Sequence, residues 1–557
     1  MKVTGVLLGP AEGAPCPPGQ GPPAREPAST GEGPQPLAWR HTLAVACGSF
    51  LFLAAWAGLR PLFLPDEGRY GGVAREMLLS GDALTPTLGG LPYFHKPPLF
   101  YWITAGSMAA FGLNEWAARL APLLGASLGA AALHRFVHRW DGPRRARLAL
   151  AALLVQPLWF MGGQFANMDM LVAGCITAAT LLLADSVRCM QAGLAHRPAL
   201  LGAWSAMALG VLAKGLIGVV LPVLVVSAWL LITPKGAGLR LWRALWWWPA
   251  PALAAAVAAP WFVAMAWKHP GFLEYMVLEQ HVRRYVASGF NNPQPWWFCA
   301  AALLLFSASG LEWLWRSCRR RQTGLAAAHA DTLSLMRVWV VTVVVFFSVP
   351  QSKLVGYVLP AVPALAVLMA AGMEGMRRPG PWPVRRWALS WGAALALSLG
   401  LTVGVAWQAP KSSKALGQAL RAQRLPAQPV WLLGVYPFDL AFYAGLEIPA
   451  RVVDHWDDPA LTQRDNWRKE LADAQRFAPA GSARILVQER EWAALLCKHA
   501  VSWVIGPAGA LPRWPVLEVS LEVARGPGDL RLWRVDPARP ETASRLRCTR
   551  EVQASVT

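Results

Sequence analysis

Met168 to Val187 reads MDMLVAGCITAATLLLADSV, twenty residues whose only charges, Asp169 and Asp185, lie near its two ends. An α-helix rises about 1.5 Å per residue and the hydrocarbon core of a bilayer is about 30 Å thick, so this stretch is long and apolar enough to cross a membrane. Comparable stretches run from Leu43 to Leu64, Trp116 to Leu133, Leu148 to Phe165, Ala199 to Ala213 and Leu216 to Ile232. Others follow at Leu245 to Trp267, Trp296 to Trp315, Val338 to Val349, Leu354 to Gly372 and Trp387 to Trp407. The sequence therefore predicts a polytopic α-helical membrane protein of about 11–13 spans.

Composition agrees. Of 557 residues, 55% are apolar and 15% charged, well below the roughly 25% charged of an average soluble protein. Thirty tryptophans and a mean hydropathy of +0.34 fit a chain with aromatic belts at two water interfaces. The formal charge of +20 could indicate nucleic acid, but in a membrane chain basic residues set orientation. Connections 134–147, 188–198, 233–245, 316–337 and 374–387 hold 19 Lys and Arg, against 8 in the alternate set. This asymmetry places the amino terminus in the cytoplasm and, with an odd span count, the carboxyl terminus outside. Pro97 to Gly112 is apolar as well, but as a span it would export the cluster Arg135 to Arg147, so it reads as an interfacial helix.

Residues 1–40, with the run Pro17-Pro18-Gly19-Gln20-Gly21-Pro22-Pro23, read as a disordered cytoplasmic tail. Residues 41–408 form the membrane domain, with an outward loop at 65–115. Residues 409–557 change in composition: short β-rich runs at Val430 to Leu433, Ile485 to Gln488, Val501 to Ile505, Val516 to Val523 and Leu530 to Val535 alternate with helix-like segments such as Leu461 to Arg476. They predict a small α/β or α+β soluble domain. The eight cysteines contain no C-x-x-C pair, which excludes a zinc ribbon, and only Cys497 and Cys548 are candidates for pairing.

The outward loop reads Pro65-Asp66-Glu67-Gly68-Arg69-Tyr70 and later Tyr93-Phe94-His95-Lys96-Pro97-Pro98. Asp66 and Arg69, three apart, share a face if the segment is helical. Taken alone these charges cap and pair on a surface helix; later loops add to them. Asp169 follows Asn167 at the outer start of a span, Lys214 sits in the turn Ala213-Lys214-Gly215, and Lys353 follows Gln351-Ser352. His281, Arg283 and Arg284 lie in another outer loop, and Tyr357 is four residues beyond Lys353. Topology brings all of them to one membrane face. Cations beside carboxylates in an aqueous pocket suit a phosphate-bearing lipid: Lys and Arg neutralise phosphate oxygens while carboxylates hold a metal or a proton.

The ordered set Pro65-Asp66-Glu67-x-Arg69-Tyr70, Lys96-Pro97-Pro98, Asp169, Leu212-Ala213-Lys214-Gly215 and Ser352-Lys353-x-x-x-Tyr357-x-Leu359-Pro360-x-x-Pro363 resembles the bacterial aminoarabinose transferase family. These are polyprenyl-phosphate-dependent glycosyltransferases of the GT-C fold, related to protein O-mannosyltransferases. The resemblance implies transfer of a sugar from undecaprenyl phosphate to a lipid A phosphate at the periplasmic face of the bacterial inner membrane, with the soluble domain periplasmic. It implies Asp66 and Asp169 as the essential carboxylates beside Arg69. Lys96, Lys214 and Arg284 become the candidate phosphate ligands, and Lys353 and Tyr357 line the lipid-phosphate groove.

One departure stands out. Where the family commonly has Glu before the Lys of its Phe-Glu-Lys-Pro motif, a candidate metal ligand, this chain has His95. His95 with His281 could bind a divalent metal, zinc or magnesium, or His95 merely caps a loop; both readings stay open, and no organic cofactor is implied. Two other functions compete: the same fold acting on a protein or glycan hydroxyl, and a lipid transporter. A transporter would carry its charges near the bilayer midplane.

Overall fold

The computed structural model describes residues 37–232, 238–283, 292–319, 327–374, 381–408, 411–463 and 465–548. The membrane domain opens with α1 (Trp39–Ala54) and α2 (Asp66–Ser80), followed by the hairpin of β1 (Thr87–Leu88) and β2 (Leu91–Pro92). Next come α3 (Leu99–Phe111), α4 (Glu115–Ala118), α5 (Leu120–Asp141), α6 (Pro143–Val155), α7 (Pro157–Gly163) and α8 (Met168–Gln191). Then follow α9 (Arg197–Lys214), α10 (Ile217–Ile232), α11 (Gly238–Ala244), α12 (Pro249–Lys268) and a π-helical segment, Glu274–Arg283. The domain closes with α13 (Phe298–Phe306), α14 (Leu311–Arg319), α15 (Ala327–Ser348), α16 (Val362–Glu374) and α17 (Pro381–Gln408).

Among the described residues six helices are long and apolar enough to cross a membrane, or eight if two bent pairs each count as one span. This is fewer than the eleven expected from the sequence, for local reasons. The stretch Leu43 to Leu64 is helical only to Ala54, because Gly58, Pro61 and Pro65 cannot continue it. Leu148 to Phe165 and Trp296 to Trp315 bend by 66° each, at Gln156-Pro157 and near Ser307. The apolar helix α10 has only 16 residues. Conversely Val338 to Val349, short as an apolar run, belongs to the 22-residue α15. Pro97 to Gly112 forms a helix, α3, which packs against α2.

The helix α8, which contains Met168 to Val187, is the central element and is buried almost throughout. Its neighbours approach so closely that side chains are excluded at the contacts: a Cβ on Gly125 of α5 would lie 2.5 Å from the Leu171 Cα, and one on Gly174 would strike the Gly125 backbone. Small residues let membrane helices approach at backbone distance, where dispersion between close-packed atoms replaces the missing hydrophobic drive. Gly210 and Gly218 serve the same purpose between α9 and α10. The packing also sets direction. Arg139 near the end of α5 donates to Asp185 near the end of α8 at 2.8 Å, while Asp169 at the start of α8 pairs with Lys214 at the end of α9. Arg145 joins Glu374 at the Arg139 end. The arginine-rich connections therefore gather at one end of the bundle, and Asp169 and Lys214 at the other.

The soluble domain starts with α18 (Lys414–Gln423) and holds a six-stranded sheet in the order β5-β4-β3-β6-β8-β7. Strands β3 (Val430–Leu433), β4 (Arg451–Asp454), β5 (Leu486–Gln488) and β6 (Ser502–Pro507) are parallel; β8 (Leu530–Val535) and β7 (Leu521–Arg525) add antiparallel neighbours. All four residues of β3 are buried because both faces of the sheet are covered, as parallel sheets require. Val430, Leu432 and Ile505 enter one core, Trp431, Leu433 and Val504 the other. The sequence missed β4, whose four residues include two charges. The predicted strand Val516 to Val523 is instead a 3₁₀ turn, Pro515–Leu517, followed by β7, since Pro515 has no ladder N–H. The helix expected over Leu461 to Arg476 shortens to α20 (Trp467–Asp473), after α19 (Leu440–Ala444).

Cys497 and Cys548 form a disulfide closing a loop of 51 residues, which ties α22 (Glu489–Leu496) to the residues after α23 (Pro540–Leu546), with α21 (Pro479–Ile485) between α20 and β5. Closing a loop of that length removes about 2–4 kcal/mol of denatured-state freedom. Cys548→Ser is therefore expected to lower the thermal midpoint of the soluble domain, and a melting curve unchanged by reductant would contradict this.

Candidate active site

The spacing of charges in the outer loop becomes a three-dimensional object through Glu67. Its carboxylate is completely buried and accepts from two guanidiniums: Arg60, at close range, and Arg119, whose Nε and Nη2 donate at 2.8 and 3.0 Å. Two backbone N–H groups complete the shell, Phe63 at 2.8 Å and Ala166 at 2.7 Å. Arg119 also donates to the carbonyls of Ala57, Arg60 and Pro61, and Arg60 to that of Gln164. Burial alone would raise the Glu67 pKa, but Arg119 and then Arg60 outweigh it and hold the carboxyl at about 2. This network joins the end of α1, the start of α2, the start of α5 and the turn before α8. It holds in place both Asp66, next to Glu67, and Asp169, three residues after Ala166, and the two line one cavity.

Between them lies a cavity of about 630 Å³. Its wall includes Asp66, Arg69, His95, Lys96, Asp169, Lys214 and Tyr357, so the residues singled out from distant loops do converge. Asp66 accepts from Arg69 Nη1 at 3.1 Å, the i,i+3 contact expected of a helical segment. Asn167 caps α8 by accepting from the Asp169 N–H at 3.0 Å, and its own amide donates to Asp169 at 3.2 Å. Asp169 thus sits in the first turn of α8, where the helix dipole favours a negative charge. Lys214 is ion-paired with Asp169, and its ammonium lies 4.8 Å from the centre of the Tyr357 ring. Gly356 permits this arrangement, since a Cβ there would come within 2.5 Å of the Asp169 Oδ2.

The remaining candidates fall elsewhere. Lys353 is buried, donates to the Gln294 carbonyl at 2.9 Å, and is not on the cavity wall; its neighbours Ser352 and Leu354 are. His281 lies in the π-helical segment by backbone, its side chain outside the described residues, as is Arg284. His95 is buried; its Nε2 is 2.8 Å from the Tyr275 hydroxyl and its ring stacks on Tyr93 at 4.5 Å. Asp66, Asp169 and Glu470 are each paired with a cation, and among the described residues no group of three or more His, Cys, Asp or Glu is placed to hold a metal. These donors fit a charge-paired site better than a metal centre.

Sequence reading missed the contribution of the soluble domain. Glu470 of α20 pairs with Arg69 Nη2 at 3.0 Å, and Asp465 also lines the cavity. Burial opposes the Arg69 charge, but Glu470, followed by Tyr93, Tyr70 and Asp66, more than offsets it and raises the guanidinium pKa. Arg69 also lies 4.5 Å from the Phe438 ring centre. Some 400 residues separate Arg69 from Glu470, and no local pattern announces the pair. Tyr70, Tyr93 and Asn167 stand beside recognised motif residues and were legible on that basis. On the side toward α10 and α15 the wall turns apolar, with Leu216, Ile217, Val220, Phe346 and Phe347.

A family model described as dolichyl-phosphate-mannose-protein mannosyltransferase matches residues 95–267. An undecaprenyl phosphate-α-4-amino-4-deoxy-L-arabinose arabinosyl transferase of Pseudomonas fluorescens is 29% identical over 345 residues, 59% of either chain. One from Sodalis glossinidius is 33% identical over 321 residues, covering 56% of this chain and 55% of its own. The chain thus spans less than three fifths of the length of these relatives. The crystal structure of ArnT from Cupriavidus metallidurans bound to undecaprenyl phosphate superposes with a TM-score of 0.72 at 22% identity, over 89% of this chain and 98% of that one. An archaeal oligosaccharyltransferase from Archaeoglobus fulgidus aligns at 0.52 and 12% identity, over 84% of this chain and 70% of that one.

A bundle of membrane helices with a charged cavity at the end that carries a soluble α/β domain is a multi-pass membrane protein of the GT-C fold. Within that fold, the chain is similar in sequence to the aminoarabinose transferases over less than three fifths of their length.

Two buried carboxyls near α2 behave oppositely. Glu67→Gln leaves Arg60 and Arg119 without their counter-charge and is expected to destabilise the fold by about 3–5 kcal/mol, readable as a drop in the detergent-solubilised melting midpoint. Asp439 is buried against Gly68 of α2, and burial raises its pKa to about 6 although the Ser413 N–H and the Ser412 hydroxyl donate to it. Its folded value exceeds the ordinary unfolded value of about 3.9, so the folded chain binds the extra proton and its stability falls as pH rises through that window. Asp439→Asn should flatten the dependence of the midpoint between about pH 4 and pH 6; an unaltered slope would assign it to other groups.

Proposed function

We propose that this chain is a glycosyltransferase that moves a sugar, aminoarabinose or a related one, from undecaprenyl phosphate to a lipid A phosphate at the periplasmic face of a bacterial inner membrane. The observation that carries the reading is the two-sided cavity: cations and carboxylates on one wall, and an apolar wall between α10 and α15 that suits a prenyl chain. The disulfide supports a soluble domain in an oxidising compartment, and the arginine-rich loops at the opposite end support a cytoplasmic location there. Charges gathered at one end rather than at the bundle midpoint argue against a lipid transporter.

The chemistry follows from charge. In a direct displacement the acceptor phosphate oxygen bonds to the anomeric carbon while the bond to the donor phosphate breaks and its electron pair leaves with polyprenyl phosphate. That leaving group is a stable anion, so no acid is needed, and the acceptor is already ionised, so no strong base is needed. The task of the protein is to balance developing charge and to align two anions that repel one another. Lys96 and Lys214 are placed to neutralise phosphate oxygens. Asp169 and the Tyr357 ring hold the Lys214 ammonium, and Asp66 orients Arg69.

Lipid A from cells with and without this chain, compared by mass spectrometry, tests the reading: a sugar-sized increment on a phosphate supports it, whereas unmodified lipid A beside labelled protein contradicts the acceptor. Asp66→Asn should abolish transfer while leaving insertion and folding intact, and full-rate transfer by the purified variant would remove Asp66 from the site. Lys214→Ala should raise the donor KM by about tenfold, the value of one charge-assisted contact; an unchanged donor KM would exclude a phosphate contact.

A further inference from the structure

The cavity is closed on one side by α20 of the soluble domain. Asn466 starts this helix by accepting from the N–H groups of Arg468 and Lys469, which fixes its first turn. Glu470 and Asp473 are three residues apart and therefore project from one face. Each reaches a different residue of the membrane domain. Glu470 meets Arg69 at 3.0 Å. Asp473 accepts from the Tyr275 hydroxyl at 3.1 Å, and that hydroxyl oxygen lies 2.8 Å from His95 Nε2 and accepts from Gln280 Nε2 at 3.2 Å.

Asp473 is ion-paired with Lys469 at 3.2 Å, so its carboxylate only accepts. Tyr275 has a single hydroxyl proton and gives it to Asp473. Burial and the adjacent Asp473 both raise the tyrosine pKa, so the proton stays on the phenol. The oxygen can then only accept from His95, which assigns the imidazole proton to Nε2. Asp473 thereby acts on His95 through Tyr275, while Glu470 acts on Arg69 directly.

We infer that Glu470 and Asp473 are positioning residues for sugar transfer: α20 grips the cavity at two points, Arg69 and, through Tyr275, His95, so that the site is complete only with the soluble domain docked. The inference rests on the transferase reading and deepens it. Misplacing reacting groups by about 1 Å costs on the order of 100-fold in rate, more than it costs in ground-state binding. Glu470→Gln and Asp473→Asn are accordingly expected to lower kcat by about tenfold or more, with the donor KM within about threefold of wild type.

Tyr275→Phe breaks the same link as Asp473→Asn, so the double variant should be no slower than Tyr275→Phe alone, whereas Glu470→Gln should multiply with either. A kcat within about twofold of wild type in either carboxylate variant, a loss confined to KM, or full multiplication of Tyr275→Phe with Asp473→Asn would each overturn the inference. If Glu470→Gln fails to fold, Glu470→Asp, which keeps the charge but shortens the reach, is read by the same split. Amide hydrogen exchange separates this from the functional reading. Even if the wild-type chain transfers no sugar to lipid A, Glu470→Gln should speed exchange in residues 66–72 and Asp473→Asn in residues 93–98, and unchanged exchange in both would defeat the grip itself.

Discussion

The site depends on one buried carboxylate held by two guanidiniums. Glu67 sits where four chain segments meet, and each segment alone would leave polar backbone unsatisfied. The turn after α1 exposes the Ala57, Arg60 and Pro61 carbonyls, which Arg119 takes up, and the turn before α8 offers the Gln164 carbonyl to Arg60 and the Ala166 N–H to Glu67. Irregular backbone at the end of a membrane bundle is tolerable only when protein groups replace water as partners. The network supplies them, and in doing so fixes the distance between the helices that bear Asp66 and Asp169. A buried ion pair is weak evidence for stability in general, because desolvation offsets the attraction. Here its value lies in specificity of placement.

From that anchor the cavity follows as a sequence of paired charges. Asp169 is set by its capping Asn167 and balanced by Lys214; Arg69 is balanced by Asp66 on its own helix and by Glu470 from the soluble domain. Pairing of this kind lets a partly buried pocket carry cations and carboxylates together without the large penalty of isolated buried charge. The soluble domain takes part through the carboxyl ends of its parallel strands. The segment after β3 brings Phe438 against Arg69 and Asp439 against Gly68, and α20, which follows β4, supplies Glu470. These strand ends are where open α/β sheets commonly place their ligands; in this chain they hold α2.

Much of this was legible in one dimension. Spans such as α8, α12 and α17 announce themselves because a bilayer demands length and apolarity, both local properties. β3 and β8 were readable with their limits because continuous apolar β-prone runs bounded by turns have few alternatives. Asp66, Asp169, Lys96 and Lys214 could be gathered at one face because alternating spans sort loops into two sets. Less legible were the bends at Gln156 and Ser307, where the apolar run continues across the break, and β4, whose charged ends hide a buried pair of valines.

By itself the sequence determined the class of protein, the two-part organisation, the end of the bundle at which charge collects and most of the charged side chains that line the cavity, since hydropathy, helical period and loop alternation are written in nearest neighbours. Only the tertiary structure decided that Lys353 turns away to a backbone carbonyl, that His95 is engaged by Tyr275, and that Glu470 and Asp473 reach the cavity from the soluble domain. Those outcomes depend on which donor is geometrically nearest to which acceptor after the segments have packed. Charge pairing across hundreds of residues leaves no periodic trace along the chain, so a reader of the sequence sees the groups but not their partners.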